Sequence, residues 1–363
     1  MIDRTLVRYP LLFQDNRIER FYIGGKLLNQ WRKAEAVEDS HMCEELLATS
    51  IGAISKGKEE GFAISRTMDG ERLSDIIRAY PEEVLGKAFH QYNPGQLTVL
   101  ARAGDTKVRL VMQCHPRRAD AKRYFQMHMG KCEAWYIART REVEGGNVCV
   151  YAGFQPHVTK ALWKELIARQ DIPQMLACLH QIPVEQGQTV LIPAGMPHCV
   201  GPGCLFLEFH ECNDVTVRVE KNINQMEISD SEMFCGLEME DGLELFDYTV
   251  YTEEEIKKKV IMKARTIEEQ EDYTVQDLIG REDNDTFGIQ LVTVNGSYQL
   301  PEFDGHRILV PVENDLTLEA GGRAFHLVQG HAALIPAACR GVKLTGEHCK
   351  VTIGIPLISE EEA

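Results

Sequence analysis

The chain has 363 residues and a formal net charge of −16, with 44% hydrophobic and 26% charged residues. This composition is typical of a globular protein, and the length favours two or three domains over one small domain. The strong negative charge argues against nucleic acid or an acidic membrane surface as a partner.

The first 95 residues carry short segments without strong periodicity. The run FYIGGKLL at residues 21–28 predicts a strand followed by a turn, because two glycines interrupt apolar residues. Residues 41–51 and 74–88 have the spacing of helices. The first ten residues are charged and lack a long apolar run, so we predict no signal peptide. We expect these pieces to complete and cover the first domain.

A basic segment follows at residues 101–141, where ten Lys and Arg residues stand against three Asp and Glu residues. It is therefore positive, by about seven charges, in a chain that is otherwise strongly acidic. Such an island would attract an anionic substrate such as a sugar phosphate. The alternative is a solvated basic face, which is the more common role of any single member.

Residues 96–114 predict two strands joined by a turn at residues 103–105. Gln113 and His115 lie two positions apart in the apolar run LVMQCH, so on a strand they point to the same face. Pro116 ends this strand, ADAKRYF predicts a short helix, and the extended run KCEAWYIA then carries Glu133. An amide oxygen, an imidazole and a carboxylate facing inward would form three quarters of a metal site.

The fourth candidate ligand is His198, in a strand-rich stretch at residues 187–219. It follows Pro193 and Gly195 in a Pro-x-Gly-x-x-His turn. Between the two halves of the site, residues 159–180 predict a helical excursion, with Asp171 as the N-cap of its second helix. A single histidine in an apolar run is more often structural than ligating, but the four positions in order favour a metal site. These donors suit zinc and also manganese, iron or cobalt.

The last third of the chain contains an acidic, then charged and helical, segment at residues 221–277. Strand-and-turn patterns return after it. The sequence GHAALIPAACRG at residues 330–341 repeats GQTVLIPAGMPH at residues 187–198 with the first glycine and the proline in register. Gly341 stands where the first copy has His198. The repeat therefore predicts a second domain of the same kind that has lost the metal site.

The combination of Gln-x-His, Lys-x-Glu and Pro-x-Gly-x-x-His resembles the class I phosphomannose isomerases of the cupin superfamily. LVMQCHP, GKCEAWYIA and IPAGMPHC correspond to the family motifs LSVQVHP, GKTExWYI and VPSGTIHA, and the resemblance is strong over about residues 95–221. It implies a mainly β fold with a helical excursion, built as a bicupin of two β-barrel or jelly-roll domains. The expected divisions are a metal-binding cupin domain with a helical insertion at about 157–182, a charged helical connection and a degenerate metal-free cupin, at residues 1–220, 221–277 and 278–363.

The resemblance also implies one zinc ion per chain and an aldose–ketose isomerase that interconverts mannose 6-phosphate and fructose 6-phosphate. This reaction moves a proton between C1 and C2 and requires a polarised carbonyl, a base and nearby positive charge. The family's catalytic arginine corresponds to Arg218, and Lys131 is a second candidate for the positive charge. Glu208 is the best candidate for the proton shuttle. Salt bridges at the surface are the alternative for the two cations, and a structural carboxylate is the alternative for Glu208.

Several positions depart from the family pattern. Val111 replaces a hydroxyl residue that would contact a phosphate, Val217 replaces a tyrosine, and His210 replaces a glutamine. Glu220 lies in a segment where the family carries an acidic, tyrosine-containing run. These changes leave two alternatives open: an isomerase of another sugar or sugar phosphate, and a non-catalytic cupin that binds a sugar or a metal.

The eleven cysteines form no C-x-x-C pair and are irregularly spaced, which predicts free thiols in a reducing cytoplasm. Cys114, Cys132 and Cys199 adjoin candidate ligands, but neighbours on a strand point to opposite faces, so we expect them to pack in the core. The uncharged run at residues 188–207 contains three prolines and three glycines and is not expected to span a membrane. No nucleotide-binding motif is apparent, and the oligomeric state stays open.

Overall fold

The computed structural model describes residues 2–53, 59, 61–223 and 226–358. Strands account for 36% of the chain and helices for 20%, so the predicted mainly β architecture is confirmed. The strands up to residue 218 are β1 Leu11–Leu12, β2 Arg17–Ile18, β3 Glu44–Ala48, β4 Val99–Asp105, β5 Gln113–Cys114, β6 Glu133–Thr140, β7 Cys149–Phe154, β8 Leu179–Pro183, β9 Thr189–Ile192, β10 His198–Val200, β11 Cys204–Glu211 and β12 Val217–Arg218.

The later strands include the two longest of those described. They are β13 Asn222–Ile223, β14 Met226–Glu227, β15 Ile261–Met262, β16 Arg265–Glu269, β17 Tyr273–Ile279, β18 Phe287–Gln299, β19 Arg307–Glu313, β20 Leu316–Ala320, β21 Arg323–Leu327, β22 Ala333–Ile335 and β23 Lys343–Pro356. The helices are short, and they are α1 Lys26–Trp31, α2 Leu73–Ala79, α3 Pro81–Leu85, α4 Lys87–Tyr92, α5 Arg118–Asp120, α6 Lys160–Arg169, α7 Ile172–Ala177, α8 Asp230–Met233, α9 Met239–Glu244 and α10 Glu253–Val260.

Two antiparallel sheets enclose the first half of the molecule. One has the order β12-β5-β10-β7-β8, and the other has the order β15-β9-β6-β11-β4-β3-β2. Their inner faces share one buried cluster, to which Trp135 and Ile192 contribute from the larger sheet and Val150 and Val200 from the smaller one. This packing of one sheet on the other places polar residues on the same inner faces close together.

The C-terminal strands form a third, nine-stranded sheet with the order β1-β22-β19-β23-β18-β17-β16, to which β20 and β21 are attached. One large cluster of buried hydrophobic residues packs this third sheet against the first half of the molecule. Phe209 of β11 packs so closely on β23 that a Cβ at Gly354 would lie 2.6 Å from its ring. Two strand pairings also connect the halves of the chain: β1 pairs with β22 of the third sheet, and β15 pairs with β9 of the larger sheet in the first half.

The repeated sequence segments occupy equivalent places. β9 and β22 are both edge-proximal strands that follow a glycine with positive φ, Gly187 at 88° and Gly330 at 76°. The helical excursion also has the predicted form. Asp171 caps α7 by accepting a hydrogen bond from the backbone N–H of Gln174, and Pro173 lies in its first turn.

Two predictions for the first half are wrong. Residues 41–51 contain strand β3 rather than a helix, because β3 is paired on both sides and buried along its whole length, and tertiary pairing outweighs the helical propensity of this segment. Residues 103–105 continue strand β4 rather than forming a turn. Gly104 serves close packing instead, since a Cβ there would lie 2.4 Å from the ring of Phe206.

Three further segments differ from the predictions. Residues 21–28 lead into helix α1, which begins after Gly25 at φ 106°. The predicted helix at 74–88 is divided into α2, α3 and α4, because Pro81 and Gly86 interrupt it. In the connection at 221–277, α8, α9 and α10 are helical as predicted, but residues 265–279 form the hairpin strands β16 and β17 of the third sheet.

The fully buried carboxylate of Asp105 holds α1 in place. It accepts hydrogen bonds from the backbone N–H groups of Gly25, Leu27 and Leu28 at 2.8, 2.6 and 3.3 Å. Because Asp105→Ala would leave three donors without this acceptor, we expect it to lower the free energy of unfolding by about 3 kcal/mol. Urea denaturation measures the change. The exposed Asp69→Ala is the control, expected within about 0.5 kcal/mol of wild type, and an equal effect of both substitutions would contradict this role.

Candidate active site

Strand register brings five polar side chains onto the facing sides of the two sheets. In the smaller sheet Gln113 is paired with Arg218 on one side and with His198 on the other. In the larger sheet His210 is paired with Glu133. Residues directly opposite each other in antiparallel strands point to the same face, so these side chains converge between the sheets.

A buried cluster of possible metal ligands lies at this meeting point. His115 Nε2 is 3.1 Å from Glu133 Oε2, and His198 Nε2 is 3.2 Å from Glu133 Oε1. Their ligand atoms all lie within 4.8 Å of one another. The side-chain amide of Gln113 is 3.2 Å from His198 Nε2. A 180° flip of that amide would present its oxygen instead, so the structure brings all four sequence-predicted ligands together.

Backbone carbonyl groups fix the orientation of both imidazoles. His115 Nδ1 lies 2.9 Å from the oxygen of Val215, and His198 Nδ1 lies 2.8 Å from the oxygen of Met196. Since a carbonyl oxygen only accepts, each Nδ1 carries the proton and each Nε2 directs a lone pair at the cluster. Burial, together with the charge of Lys131, lowers the pKa of His115 to about 3, so this ring is neutral and able to ligate.

The donors fit a divalent metal ion. Among the described residues, the buried His115 Nε2 and Glu133 Oε2 have no hydrogen-bond partner in acceptable geometry. Buried polar atoms without partners are costly and rare. A cation would satisfy both atoms at once. Burial alone would raise the pKa of Glu133, but the charge of Lys131 lowers it well below its usual range, which keeps the carboxylate charged.

Lys131 is completely buried beside this cluster. Its Nζ lies 3.2 Å from Glu133 Oε2 and 3.8 Å from Glu208 Oε1. Glu208 is also buried and lies 2.9 Å from Arg102 Nη2. Burial raises the pKa of Glu208 to about 7, against the opposing effect of Arg102 and Lys131. Glu208 is thus a carboxyl group that can gain and lose a proton near neutral pH.

Arg218 lies on the smaller sheet, paired in register with Gln113. Its guanidinium donates to the backbone oxygen of Thr216 at 3.3 Å and stands 5.9 Å from the centre of the Phe21 ring. Its Nε is enclosed and has no hydrogen-bond partner among the described residues. Arg218 and Lys131 therefore both belong to the polar interior between the sheets, and neither is a salt bridge at the surface.

Sequence reasoning missed part of the site. Arg102 belongs to the basic segment, which alone does not assign it to the site. Its position as a charged residue inside the apolar strand β4 does indicate a functional role. Arg20 follows strand β2, which has only two residues, so no pattern in the sequence predicts that its side chain reaches the site. The carboxylate of Glu44 positions Arg20, because it accepts hydrogen bonds from Arg20 Nε at 2.6 Å and from the Tyr22 hydroxyl at 2.7 Å.

The polar interior opens into a narrow cleft and a wider cavity. Arg20, Arg102, His210 and Asp214 line the cleft together with apolar residues. The cavity has a volume of about 440 Å³, and its wall includes the segment 126–129. Cleft and cavity share three lining residues, so the cavity is continuous with the cleft that Arg102 and His210 line. The shared residues are Ile51, Gly52 and Asp214.

The unusual residues around Arg218 have structural roles. Val111 is buried and offers no side-chain donor. Glu220 accepts two hydrogen bonds from Arg109 at 2.7 and 2.8 Å and one from the backbone N–H of Met112 at 2.6 Å. The Glu220 carboxylate therefore connects the segment after Arg218 to the residues that lead into strand β5.

The cysteines do not join the metal cluster. All eleven are in the described part of the chain and are unpaired. Cys114 on β5, Cys199 on β10 and Cys132 just before β6 are buried in apolar clusters, and none of them is in the ligand cluster. None of the helices within the described ranges is long and apolar enough to cross a membrane.

Known proteins resemble this chain in sequence and in structure. No protein-family model matches it. A mannose-6-phosphate isomerase of Bacillus subtilis is 23% identical over 216 residues, which is 58% of this chain and 60% of that protein. A mannose-6-phosphate isomerase of Streptococcus mutans is 31% identical over 145 residues, covering 40% of this chain and 42% of that protein. The chain thus matches less than two thirds of the length of these relatives.

Solved structures match over nearly the whole chain. The mannose 6-phosphate isomerase from Bacillus subtilis has a TM-score of 0.72 at 18% identity, covering 95% of this chain and 99% of that one. The apo form of mannose 6-phosphate isomerase from Salmonella typhimurium has a TM-score of 0.69 at 14% identity, covering 96% and 99%. The chain therefore has the fold of these enzymes and is similar in part of its sequence to mannose-6-phosphate isomerases.

Proposed function

We propose that the chain is a metal-dependent aldose–ketose isomerase that interconverts mannose 6-phosphate and fructose 6-phosphate. The observation that carries the proposal is the buried cluster of His115, Glu133 and His198, with Lys131 and Glu208 beside it. The similar proteins from Bacillus subtilis and Streptococcus mutans are mannose-6-phosphate isomerases, which agrees with this activity.

Gln113, His115, Glu133 and His198 would hold the metal ion, which we propose to be zinc. Two imidazoles, a carboxylate and an amide oxygen suit zinc, although manganese, iron and cobalt accept similar ligands. The ion would supply Lewis-acid polarisation of the substrate carbonyl. His115 and His198 are already oriented for ligation by the backbone oxygens that bind their Nδ1 atoms.

Three further side chains would serve the proton transfer. Glu208 takes the proton from one carbon and returns it to its neighbour, because its pKa of about 7 lets both forms exist near neutral pH. Lys131 neutralises the carboxylates and stabilises negative charge on the enediolate. Arg218, with an unsatisfied enclosed Nε, binds the anionic end of the substrate or intermediate.

We further propose that the two halves are cupin barrels joined by a connection within residues 221–277, whose last part, from residue 265, pairs as β16 and β17 in the third sheet. The first, at residues 1–220, carries the ligands. The second, at residues 278–363, has Gly341 at the position of His198 and would be metal-free. The partner is then a small sugar phosphate rather than a nucleic acid or a membrane. The eleven unpaired thiols favour a cytoplasmic location.

Val111 supports a second candidate substrate. Because this buried side chain has no donor for a phosphate, an unphosphorylated aldose or another sugar phosphate is the alternative. A non-catalytic sugar- or metal-binding cupin is less favoured, since Lys131 and Arg218 both face the polar interior.

The test is a coupled assay of mannose 6-phosphate conversion to fructose 6-phosphate, with mannose in a parallel arm. We expect zinc-loaded protein to turn over the phosphate, EDTA-stripped protein to lose at least about 100-fold in rate, and added zinc to restore it. Turnover of mannose alone would support the alternative substrate. Stoichiometric zinc without turnover of either sugar would contradict the enzymatic function.

A further inference from the structure

His210 occupies the site face of strand β11 without belonging to the metal cluster. It is paired in register with Glu133 and lies two residues after Glu208, so all three side chains point to the same side of the sheet. The ring is 4% exposed. His210 is not among the residues whose ligand atoms lie within 4.8 Å of one another.

The backbone fixes the tautomer of this ring. His210 Nδ1 lies 2.7 Å from the carbonyl oxygen of Glu211, which can only accept, so Nδ1 carries the proton. Nε2 is then the lone-pair nitrogen. Its nearest carboxylate, Glu208 Oε1, is 3.9 Å away, which is too far for a hydrogen bond. Burial, with Lys131 and Arg102 nearby, lowers the pKa of His210 well below its usual range, in agreement with a neutral ring.

The surroundings make this nitrogen chemically distinctive. The cleft that His210 lines is also lined by Arg20 and Arg102, which can only donate hydrogen bonds, and by the carboxylate of Asp214, which is charged and lies 3.8 Å from Arg102. Arg102 is paired with Glu208, and Arg20 is paired with Glu44. A neutral acceptor in a cleft rich in cationic donors is suited to a ligand group that donates without carrying charge. A sugar hydroxyl group is such a donor.

We propose that His210 is a specificity-determining residue whose Nε2 accepts a hydrogen bond from a hydroxyl group of the substrate, on C3 or C4. This inference rests on the proposed function. C1 and C2 would lie between the metal ligands and Glu208, and C6 carries the phosphate. His210 stands beside Glu208 on the same strand, so the hydroxyl groups next to the reacting carbons are the ones within its reach.

The test compares mannose 6-phosphate with its 3-deoxy and 4-deoxy analogues on wild type, His210→Phe and His210→Gln. For wild type we expect one analogue to lose about 10-fold or more in kcat/KM. In His210→Phe this penalty should fall below about twofold, because the acceptor is already absent, while His210→Gln should keep part of it through its amide oxygen. Zinc content and circular dichroism establish that each variant is folded and loaded.

The exposed His157→Phe is the matched control and should keep the full wild-type penalty. Equal penalties in wild type and His210→Phe would overturn the inference while leaving the isomerase function standing. If zinc-loaded wild type does not turn over mannose 6-phosphate, the proposed function fails. The same comparison then uses dissociation constants from calorimetry, and either equal penalties or no binding at all would overturn the role of His210.

Discussion

His198→Ala is expected to abolish zinc binding and isomerase activity together. The substitution removes the imidazole that lies 3.2 Å from Glu133 and leaves this buried carboxylate facing a void. Among the described residues no other His, Cys, Asp or Glu joins His115 and Glu133 in the cluster, so only the neutral amide of Gln113 would remain beside them and nothing replaces the lost imidazole. We expect turnover of mannose 6-phosphate to fall roughly 1,000-fold or more. Zinc content is measured on the same protein by atomic absorption after dialysis.

A matched substitution separates ligation from packing. His180 lies in the same sheet, is buried to a similar degree, and bonds the backbone oxygen of Tyr251 at 2.8 Å rather than the cluster. His180→Ala should therefore cost stability but retain stoichiometric zinc. If His198→Ala keeps its zinc and its turnover, or if both variants lose zinc equally, the assignment of His198 as a ligand is wrong.

The candidate site was largely predictable because its signals are local. Gln113 and His115 share a short apolar run, and Glu133 opens a strand whose alternation of residues is visible in the sequence. The turn before His198 is defined by a proline and a glycine, and Gly195 adopts the positive φ of 85° that this turn requires. Each such motif lies within a few residues, so local pattern sufficed to place the side chain on a strand face.

Other parts depended on contacts between distant segments. Residues 44–48 have the composition of a helix, yet pairing with β2 and β4 makes them a strand. Likewise, the local sequence predicts Gly104 to be a turn residue, whereas the ring of Phe206, about a hundred positions away, is what requires a glycine there. Arg20 reaches the site through Glu44 on a neighbouring strand. Sequence spacing carries no information about such partners, and propensity is easily outweighed by burial.

We expect kcat/KM to rise with pH in a single titration step, which is the ionisation of Glu208. Burial raises the pKa of this carboxyl group from an ordinary value of 4.5 to about 7. A proton-accepting role requires the ionised form, which predominates only above that pKa, so kcat/KM should increase with pH and then level off. A dication held by Glu133 would favour the ionised form and lower the pKa. The midpoint in the zinc-loaded enzyme should therefore lie between 4.5 and about 7.

Glu208→Gln should remove that titration step and lower kcat by about 100- to 10,000-fold, because the amide cannot take up the proton. Stability supplies an independent measurement on metal-free protein. Since the folded-state pKa is raised, the folded protein binds more protons than the unfolded chain between pH 4.5 and about 7. The stability that Glu208 contributes is complete below pH 4.5 and is lost as the pH rises through about 7.

Glu208→Gln should flatten this part of the stability profile, while the exposed Glu185→Gln should leave both the rate and the profile unchanged. If Glu208→Gln slows the reaction but kcat/KM still falls at low pH, the carboxylate has a structural role and positions Arg102 and Lys131. If the titration step disappears together with the slope in stability, the same proton governs both, and Glu208 is the group that carries it between the carbons.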